Sequence, residues 1–207
     1  MSSTQDLKTI EKGAFDIIYK DKGSKFIGFA KHVDSPEEAT AFFELLKKQH
    51  HGANHCCYAY RLGVQGQEMR ANDDGEPTHS AGTPILGQIQ SFGLTNTAVA
   101  VIRYFGGTKL GVGGLVKAYK ATAQLTLEAS SFKLEVVYQK AQLNFKYRDI
   151  GAAMNWLKQE QCLITEQHLD QKCRIQFNLP ALNVEQAKEF WNSQPDLYFE
   201  VLNNDNY

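Results

Sequence analysis

The sequence TAVAVIRYFGGTKLGVGGLVKAY, residues 97–119, holds three structural signals in succession. Residues 97–104 form a β-branched apolar run of the length expected for a buried strand. Residues 105–114 contain five glycines in ten positions, which is typical of a loop. Between positions 115 and 129 apolar residues recur at helical spacing. The stretch therefore predicts a buried strand, a glycine-rich loop and a helix.

The glycine-rich loop leads directly into the predicted helix, an arrangement that presents backbone N–H groups to an anion. A nearby lysine, here Lys109, suits phosphate or a nucleic-acid backbone. The glycine spacing matches neither the P-loop nor the dinucleotide fingerprint, so a nucleotide-hydrolysing enzyme is not indicated. The alternative is that the glycines serve tight turns and close packing of the helix on the sheet. The candidate anion-binding glycines are Gly106, Gly107, Gly111, Gly113 and Gly114.

Positive charge is concentrated in the same region, although the formal net charge of the chain is -1. Such a net charge gives no overall attraction to nucleic acid or to an anionic membrane. Locally, residues 103–120 contain basic side chains and no Asp or Glu. We expect these side chains to contact phosphates, with Arg61 and Tyr104 extending the surface, unless they form a solvated helix face. The predicted basic contacts are Arg103, Lys109, Lys117 and Lys120.

A second candidate site is the acidic motif, which consists of Asp73, Asp74, Gly75, Glu76 and Pro77. Three carboxylates within four residues could hold a hard cation or supply a general acid and base. The alternative is a turn, because Asp side chains bond the backbone just ahead of them and Gly adopts positive φ. The full EF-hand pattern is absent.

The histidines and cysteines give no recognised ligand pattern. His50, His51, His55 and His79 lie near Cys56 and Cys57 in sequence, but their spacing matches no common zinc motif. No nucleophile elbow or Ser, His, Asp order is present. We therefore assign no catalytic residue, no metal ligand and no cofactor.

The sequence patterns in the rest of the N-terminal region predict a mixture of strands and helices. Residues 14–20 and 25–33 predict a hairpin, and Ser35 caps a helix that runs to about position 50. Strands follow at 55–62 and 67–70, then a loop over 71–83. Thr83 and Pro84 are expected to open a short helix to position 92.

A new series of strand and helix patterns begins at about position 132. We predict strands at 132–139 and 142–147, a helix capped by Asp149, strands at 162–169 and 172–179, a helix at 183–193 and a strand at 197–202. The β-α-β-β-α-β order is that of a ferredoxin-like domain. The predicted fold is α+β, with an N-terminal domain at 1–138 and a ferredoxin-like domain at 139–207.

The overall composition suggests a cytoplasmic protein. No apolar stretch approaches the roughly 20 residues of a membrane-spanning helix, and residues 1–11 lack the features of a secretory signal. The four cysteines form no C-x-x-C pair, and free thiols are typical of a reducing compartment.

Four sequence blocks carry a resemblance to a known family. They are GSKF at 23–26, HCCYAYRLG at 55–63, DDGEPTHSAGTPIL at 73–86 and RYFGGTKLGVGGLVKAY at 103–119. In this order they resemble the IMPACT family, in its bacterial YigZ-like branch. The resemblance covers roughly residues 10–130. It implies an N-terminal domain of the ribosomal protein S5 domain 2-like fold and a link to RNA, the ribosome or translational control. Eukaryotic members bind a ribosome-associated activator of an amino-acid-starvation kinase, which adds a protein partner to the expectations.

Two short segments depart from the family pattern. His79 and Ser80 stand where the family usually has Gly and Thr, and Asn54, His55 and Cys56 stand where it has Thr, His and Asn. If the backbone at position 79 has positive φ, the β-carbon of histidine makes that conformation costlier.

Three classes of function follow from the sequence. The first is a nonenzymatic nucleic-acid-binding or ribosome-associated module that regulates translation. The second is a metal-assisted hydrolase in which Asp73, Asp74 and Glu76 act as ligands or base. The third is a protein–protein adaptor, which requires an exposed apolar patch.

Overall fold

The computed structural model describes residues 7–202, which divide into two compact units between Glu135 and Val136. Sequence analysis placed this boundary between positions 138 and 139. Residues 1–6 and 203–207 of the two predicted domains lie outside the described residues. Within positions 7–202, no helix is both long and apolar enough to cross a membrane.

The N-terminal domain contains seven strands and three helices within residues 7–135. The strands are β1 Leu7–Lys12, β2 Ile17–Asp21, β3 Ser24–His32, β4 His55–Leu62, β5 Glu68–Asn72, β6 Thr97–Tyr104 and β7 Ser131–Glu135. The helices are α1 Pro36–Gln49, α2 Gly82–Ser91 and α3 Val112–Glu128. Five strands form an antiparallel sheet in the order β2-β3-β6-β4-β5, and β1 pairs with β7 in a second small sheet.

Strand β6 is buried on both faces because it is the central strand of the larger sheet and helices cover both sides. Val99 and Val101 pack in the cluster that includes side chains of α2 and α3. Ala98 and Ile102 pack on the other side against α1. This confirms the buried strand that the unbroken apolar run predicts.

Helix α1 is the element that sequence chemistry predicts best. Ser35 accepts a hydrogen bond from the Glu38 N–H at 3.2 Å, and Pro36 occupies the first turn. These contacts satisfy N–H groups that a helix start otherwise leaves unpaired. Phe42 and Phe43 then bury the apolar face against the sheet.

Some boundaries differ from the predicted ones. Helix α2 begins at Gly82 with no side-chain cap from the preceding residue, and α3 begins at Val112 rather than at position 115. Strand β1 has no strong local pattern, since residues 1–11 are largely polar. It forms because it pairs with β7, which lies at the other end of the domain in sequence.

The C-terminal domain is a ferredoxin-like sandwich. Its elements are β8 Tyr138–Lys146, α4 Ile150–Gln159, β9 Leu163–Leu169, β10 Lys172–Pro180, α5 Val184–Asn192 and β11 Tyr198–Val201. The four strands form an antiparallel sheet in the order β11-β8-β10-β9, over a core that contains Trp156, Phe177 and Trp191. The predicted α+β class and the β-α-β-β-α-β order are confirmed.

Two local predictions in the C-terminal domain were wrong. Strand β8 is continuous, whereas the sequence suggested a break between positions 139 and 142. Asp149 does not cap α4 with its side chain, because a short 3-10 turn over Tyr147–Asp149 leads into the helix.

A close backbone contact joins the β2–β3 hairpin to the loop after β6. The hairpin turns at Lys22 and Gly23, whose φ angles are 43° and 82°. A side chain at position 106 would overlap the backbone of Gly23 and Ser24. The Gly106 N–H also donates to the Ser24 hydroxyl at 3.2 Å. Glycine at position 106 therefore fixes the start of the glycine-rich loop against the sheet.

Replacing Gly106 with Ala is expected to lower the free energy of unfolding by about 2–3 kcal/mol, because the overlap is with backbone that cannot rotate away. Urea unfolding followed by far-UV circular dichroism measures this change. Tryptophan fluorescence gives a separate reading of the C-terminal domain, since both tryptophans lie there.

Gly113→Ala is the matched control. Position 113 lies in the first turn of α3 and has open space around an added β-carbon, so its stability should stay the same or rise by up to about 1 kcal/mol. Equal destabilisation by both substitutions would contradict a packing role specific to Gly106.

Candidate functional site

The acidic motif and the glycine-rich loop meet at one end of the larger sheet. His55 at the start of β4 lies opposite Arg103 near the end of β6, and β5 ends at Asn72 just before the acidic motif. A cavity of about 450 Å³ lies between the two segments. Its walls include Asn54, His55, Glu76, Pro77, Arg103, Phe105, Lys109, Leu110, Gly111, Val112 and Leu115.

The acidic motif begins with a tight turn. Asp74 and Gly75 have φ angles of 43° and 88°, and the Glu76 N–H donates to the Asp73 carbonyl at 2.9 Å. Positive φ at both central residues is the geometry for which Asp-Gly is preferred. The turn directs Glu76 inward, where it is buried.

The Asp73 carboxylate organises the segment that follows the turn. It accepts hydrogen bonds from the N–H groups of His79 at 2.8 Å, Ala81 at 3.0 Å and Gly82 at 2.8 Å. The last two are at the start of α2, so Asp73 caps this helix from nine residues away in sequence. Partial burial acts to raise the pKa of Asp73, but the three N–H donors outweigh it, and the pKa lies below the usual value.

Asp74 has equally specific partners. One carboxylate oxygen accepts from the Cys56 N–H at 2.7 Å, and the other pairs with Lys47 Nζ at 3.0 Å. The hydrogen bond to Asp74 raises the pKa of Lys47. Asp74 thereby connects the acidic motif to α1 and β4.

These contacts do not form the arrangement that a metal-assisted hydrolase requires. The oxygens of Asp73 and Asp74 are occupied by backbone N–H groups and by a lysine rather than converging with Glu76. In the part of the chain that the structure describes, no group of three His, Cys, Asp or Glu side chains is placed to hold a metal ion.

Glu76 is the centre of a buried polar network. Its Oε1 accepts from Arg103 Nη1 at 2.6 Å and from the Tyr119 hydroxyl at 2.7 Å. His55 Nε2 lies 3.9 Å from the same oxygen. Burial raises the pKa of Tyr119, which keeps its hydroxyl protonated and able to donate. The network connects the acidic motif, β6 and α3.

The interpretation of Arg103 as a phosphate contact needs correction. Its side chain is only 7% exposed and is paired with Glu76, while its guanidinium lies 5.5 Å from the ring centres of both Phe26 and Phe105. A buried guanidinium requires such a partner because desolvation of an unpaired charge is costly. Arg103 therefore belongs to the interior of the site rather than to a basic surface.

Arg61 also lies elsewhere than expected. It pairs in register with Thr97, at the opposite end of β4 and β6 from the glycine-rich loop. Its guanidinium donates to the carbonyls of Gly66, Leu94 and Gln65. Tyr104 is closer to the site, but its hydroxyl is hydrogen-bonded to His50 Nδ1 at 2.9 Å. Arg61 is thus committed to a neighbouring loop.

The remaining predicted basic residues are on the surface. Lys109, Lys117 and Lys120 are exposed, and among residues 7–202 none of them forms an ion pair within 4 Å. Gly111 precedes α3 with φ of 74° and supplies no side-chain cap, and the first turn contains no acid. The first helical hydrogen bond is from the Leu115 N–H to the Gly111 carbonyl, so the N–H groups of residues 112–114 have no acceptor in the described chain.

The glycines of the predicted anion site have different surroundings. Gly106 is packed against the hairpin, whereas Gly107 and Gly113 have open space around their α-carbons. Gly114 packs against the Leu110 side chain. The apolar walls of the cavity were not predicted from the sequence, although Phe105 and Val112 stand out as large apolar residues inside a glycine-rich loop.

His79 adopts the left-handed conformation, with φ of 62°. The backbone at this position thus has the conformation that glycine favours. Two contacts support it: the His79 N–H bonds Asp73, and Nδ1 lies 3.1 Å from the Thr83 hydroxyl. The side-chain contact offsets part of the steric cost of the β-carbon.

Comparisons with known proteins give a consistent result. The family model described as "Impact N-terminal domain" matches residues 22–127. IMPACT family member YvyE of Bacillus subtilis is 34% identical over 166 residues, which cover 80% of this chain and 76% of that protein. IMPACT family member YigZ of Escherichia coli is 38% identical over 130 residues, covering 59% of this chain and 64% of that protein. A crystal structure described as a hypothetical protein matches 97% of this chain and 99% of its own with a TM-score of 0.67 and 26% identity.

Replacing Asp73 with Ala is expected to lower the free energy of unfolding by about 2–3 kcal/mol, because three N–H groups lose a charged acceptor. Since folding lowers the pKa of Asp73, its contribution is present above about pH 4 and is lost as the pH falls through the folded-state pKa. Urea unfolding at pH 7 and in acid measures both effects. Glu44→Ala, on the exposed side of α1, is the control; a difference from wild type that grows in acid would contradict this role.

Replacing His79 with Gly is expected to stabilise the protein by up to about 1 kcal/mol, because glycine adopts positive φ without steric cost. The neighbouring exposed Thr78 has no positive φ, so Thr78→Gly should instead destabilise by about 0.5–1 kcal/mol. Thermal unfolding compares the two variants. Destabilisation by both would show that the Thr83 contact outweighs the backbone strain.

Proposed function

The chain belongs to the IMPACT family, and from this premise we propose that its N-terminal domain binds the phosphate backbone of RNA as a nonenzymatic, ribosome-associated module in the regulation of translation. The observation that carries the proposal is the start of α3. There, the backbone N–H groups of residues 112–114 have no acceptor in the described chain and the first turn contains no acid, while Lys109 precedes the helix and Lys117 and Lys120 lie within it. Backbone N–H groups and lysines are the groups that contact phosphates in sequence-independent RNA binding.

The spacing of the lysines supports a common surface. Lys117 and Lys120 are three residues apart in α3, so they lie on the same side of the helix. Lys109 precedes the helix in the glycine-rich loop. Arg103 and Arg61 are not part of the proposed surface because both guanidinium groups have protein partners.

The other charged groups near the site are neutralised locally. Asp73 bonds backbone N–H groups, and Asp74 pairs with Lys47. Lys117 and Lys120 of α3 form no ion pair among residues 7–202 and are available to a phosphate. Because the net charge of the chain is only -1, attraction to RNA would come from this local group and would weaken strongly with salt.

The C-terminal sheet offers less support for RNA binding. Its polar side chains bond to one another: Gln176 donates to Gln142, Gln142 donates to Glu200, and Arg174 pairs with Glu166. These contacts occupy the central polar side chains of that sheet. We therefore place the RNA contact in the N-terminal domain and the protein in the cytoplasm, where its four free cysteines would remain reduced.

An adaptor function has one observation in its favour. A groove of about 550 Å³ beside α1 and β3 is lined by Phe15, Phe29, Phe42 and Leu45, and two of these side chains are about half exposed. Exposed apolar grooves are typical of protein-binding surfaces. Such a surface could serve a protein partner in translational control alongside the RNA contact.

The test is binding of the purified protein to single-stranded RNA, duplex RNA and ribosomal subunits over a salt series. Lys117→Glu/Lys120→Glu should weaken RNA binding at least tenfold. It should also reduce the slope of log affinity against log salt by about 1.4 for single strands, because two phosphate contacts are lost. Fluorescence anisotropy with labelled RNA and co-sedimentation with subunits give the two readings.

The control is Lys158→Glu/Lys172→Glu, which makes the same charge change at exposed positions of the C-terminal domain. An equal loss of affinity in this variant, or the absence of salt-dependent binding in the wild type, would contradict the proposal. If the Lys117→Glu/Lys120→Glu variant still binds the ribosome, the groove beside α1 becomes the candidate ribosome contact.

A further inference from the structure

The cavity between the acidic motif and the glycine-rich loop has an apolar mouth. Phe105 is 45% exposed and Val112 is 56% exposed, and both line the cavity with Leu110, Leu115 and Pro77. Large apolar side chains at the rim of a concave site suit a ligand with an apolar or planar body. A ligand surface that covers these side chains removes them from water, which is favourable.

Glu76 gives the cavity a polar wall. Glu76 lines the cavity with a side chain only 4% exposed, and its two hydrogen bonds are both made by Oε1. Oε2 makes no hydrogen bond among residues 7–202. A ligand N–H group that reaches Oε2 would form a charge-assisted hydrogen bond inside a largely apolar cavity.

His55 adds a second acceptor. Its Nδ1 lies 2.7 Å from the Asp74 carbonyl, and a carbonyl can only accept, so Nδ1 carries a hydrogen. In the neutral imidazole, Nε2 is then an acceptor. His55 lines the same cavity. Glu76 and His55 together favour a ligand edge that carries N–H groups.

The other end of the cavity favours an anion. Lys109, Gly111 and Val112 line it, and the N–H groups at the start of α3 have no acceptor in the described chain. Oε2 of the almost fully buried Glu76 side chain is independent of this helix terminus. The cavity therefore has an anion-binding end, apolar walls and an end that accepts hydrogen bonds.

We infer that this cavity binds a nucleoside 5′-monophosphate unit, either free or as the 5′ end of an RNA. The base lies against Phe105 and donates an N–H to Glu76, while the phosphate meets Lys109 and the start of α3 at Val112. A cavity of about 450 Å³ is within the range of small-ligand sites. The inference rests on the proposed RNA-binding function only where the nucleotide is part of an RNA chain.

The experiment measures binding of AMP, GMP, CMP and UMP to the full chain by isothermal titration calorimetry. Adenosine and ribose 5-phosphate each lack one half of the recognised ligand. At least one nucleotide should bind ten times more tightly than either fragment, and nucleotide addition should protect the N–H groups of residues 112–114 from hydrogen exchange. Nucleotides that bind no better than ribose 5-phosphate would overturn the inference.

Two variants locate the site. Phe105→Ala and Val112→Asp should each weaken nucleotide binding at least tenfold, the first by removing the stacking surface and the second by placing a carboxylate near the phosphate. Phe190→Ala removes an equally exposed phenylalanine from the C-terminal domain and should leave affinity unchanged. Circular dichroism verifies that each variant is folded. Unchanged affinity in both cavity variants would refute this location even if nucleotides bind.

The source of the nucleotide is decided by two RNAs of one sequence, with a 5′-phosphate or a 5′-hydroxyl. Tighter binding of the phosphorylated RNA supports an RNA end, and equal binding alongside tight mononucleotide binding supports a free nucleotide. A wild-type protein that binds 5′-hydroxyl RNA but no mononucleotide would overturn this inference and leave the RNA proposal standing. If the protein binds mononucleotides but not RNA, this inference stands and the RNA proposal is overturned.

Discussion

The buried contact of Glu76 with Arg103 and Tyr119 holds the N-terminal domain together where its functional segments meet. Each partner comes from a different part of the chain: the acidic motif, the end of the central strand, and the helix after the glycine-rich loop. Burial makes the three interdependent, because removing one partner leaves a charge or a polar group without compensation, at a cost of roughly 3–5 kcal/mol for a buried pair. The position of the cavity follows from this contact.

Several charged side chains near this contact have protein partners and are therefore not available to a ligand. Arg103 is used to neutralise Glu76, Asp73 to hold the start of α2, and Asp74 to bond Cys56 and Lys47. What remains is a group of exposed lysines beside a helix start that has no acid. The acidic motif thus builds the site, and the lysines after the glycine-rich loop give it its charge.

The backbone conformations at Gly106 and His79 are closely constrained by their neighbours in the site. Gly106 allows the loop to touch the hairpin backbone at Gly23, which no side chain at that position would permit. His79 occupies a left-handed conformation and recovers part of its cost through contacts with Asp73 and Thr83. The departure from the family pattern at position 79 is therefore a change in local strain rather than a change of fold.

The sequence determined those features that depend on local chemistry. It predicted the buried central strand, the capped start of α1, the α+β class and the order of the C-terminal elements, since hydrophobic period, caps and turn residues act over a few positions. It also placed the acidic motif and the glycine-rich loop, though not their boundaries with α2 and α3. Strand β1 was missed because its partner β7 is distant in sequence.

Only the tertiary structure decided what each charged residue does. In sequence Arg61, Arg103 and Lys109 are equivalent basic residues. Strand register buries Arg103 opposite His55, places Arg61 at the far end of the sheet and leaves Lys109 exposed. The cavity and its unpaired Glu76 oxygen arise from side chains of four separate segments. Burial and pairing of a charge depend on neighbours brought together by folding, and a local pattern does not contain them.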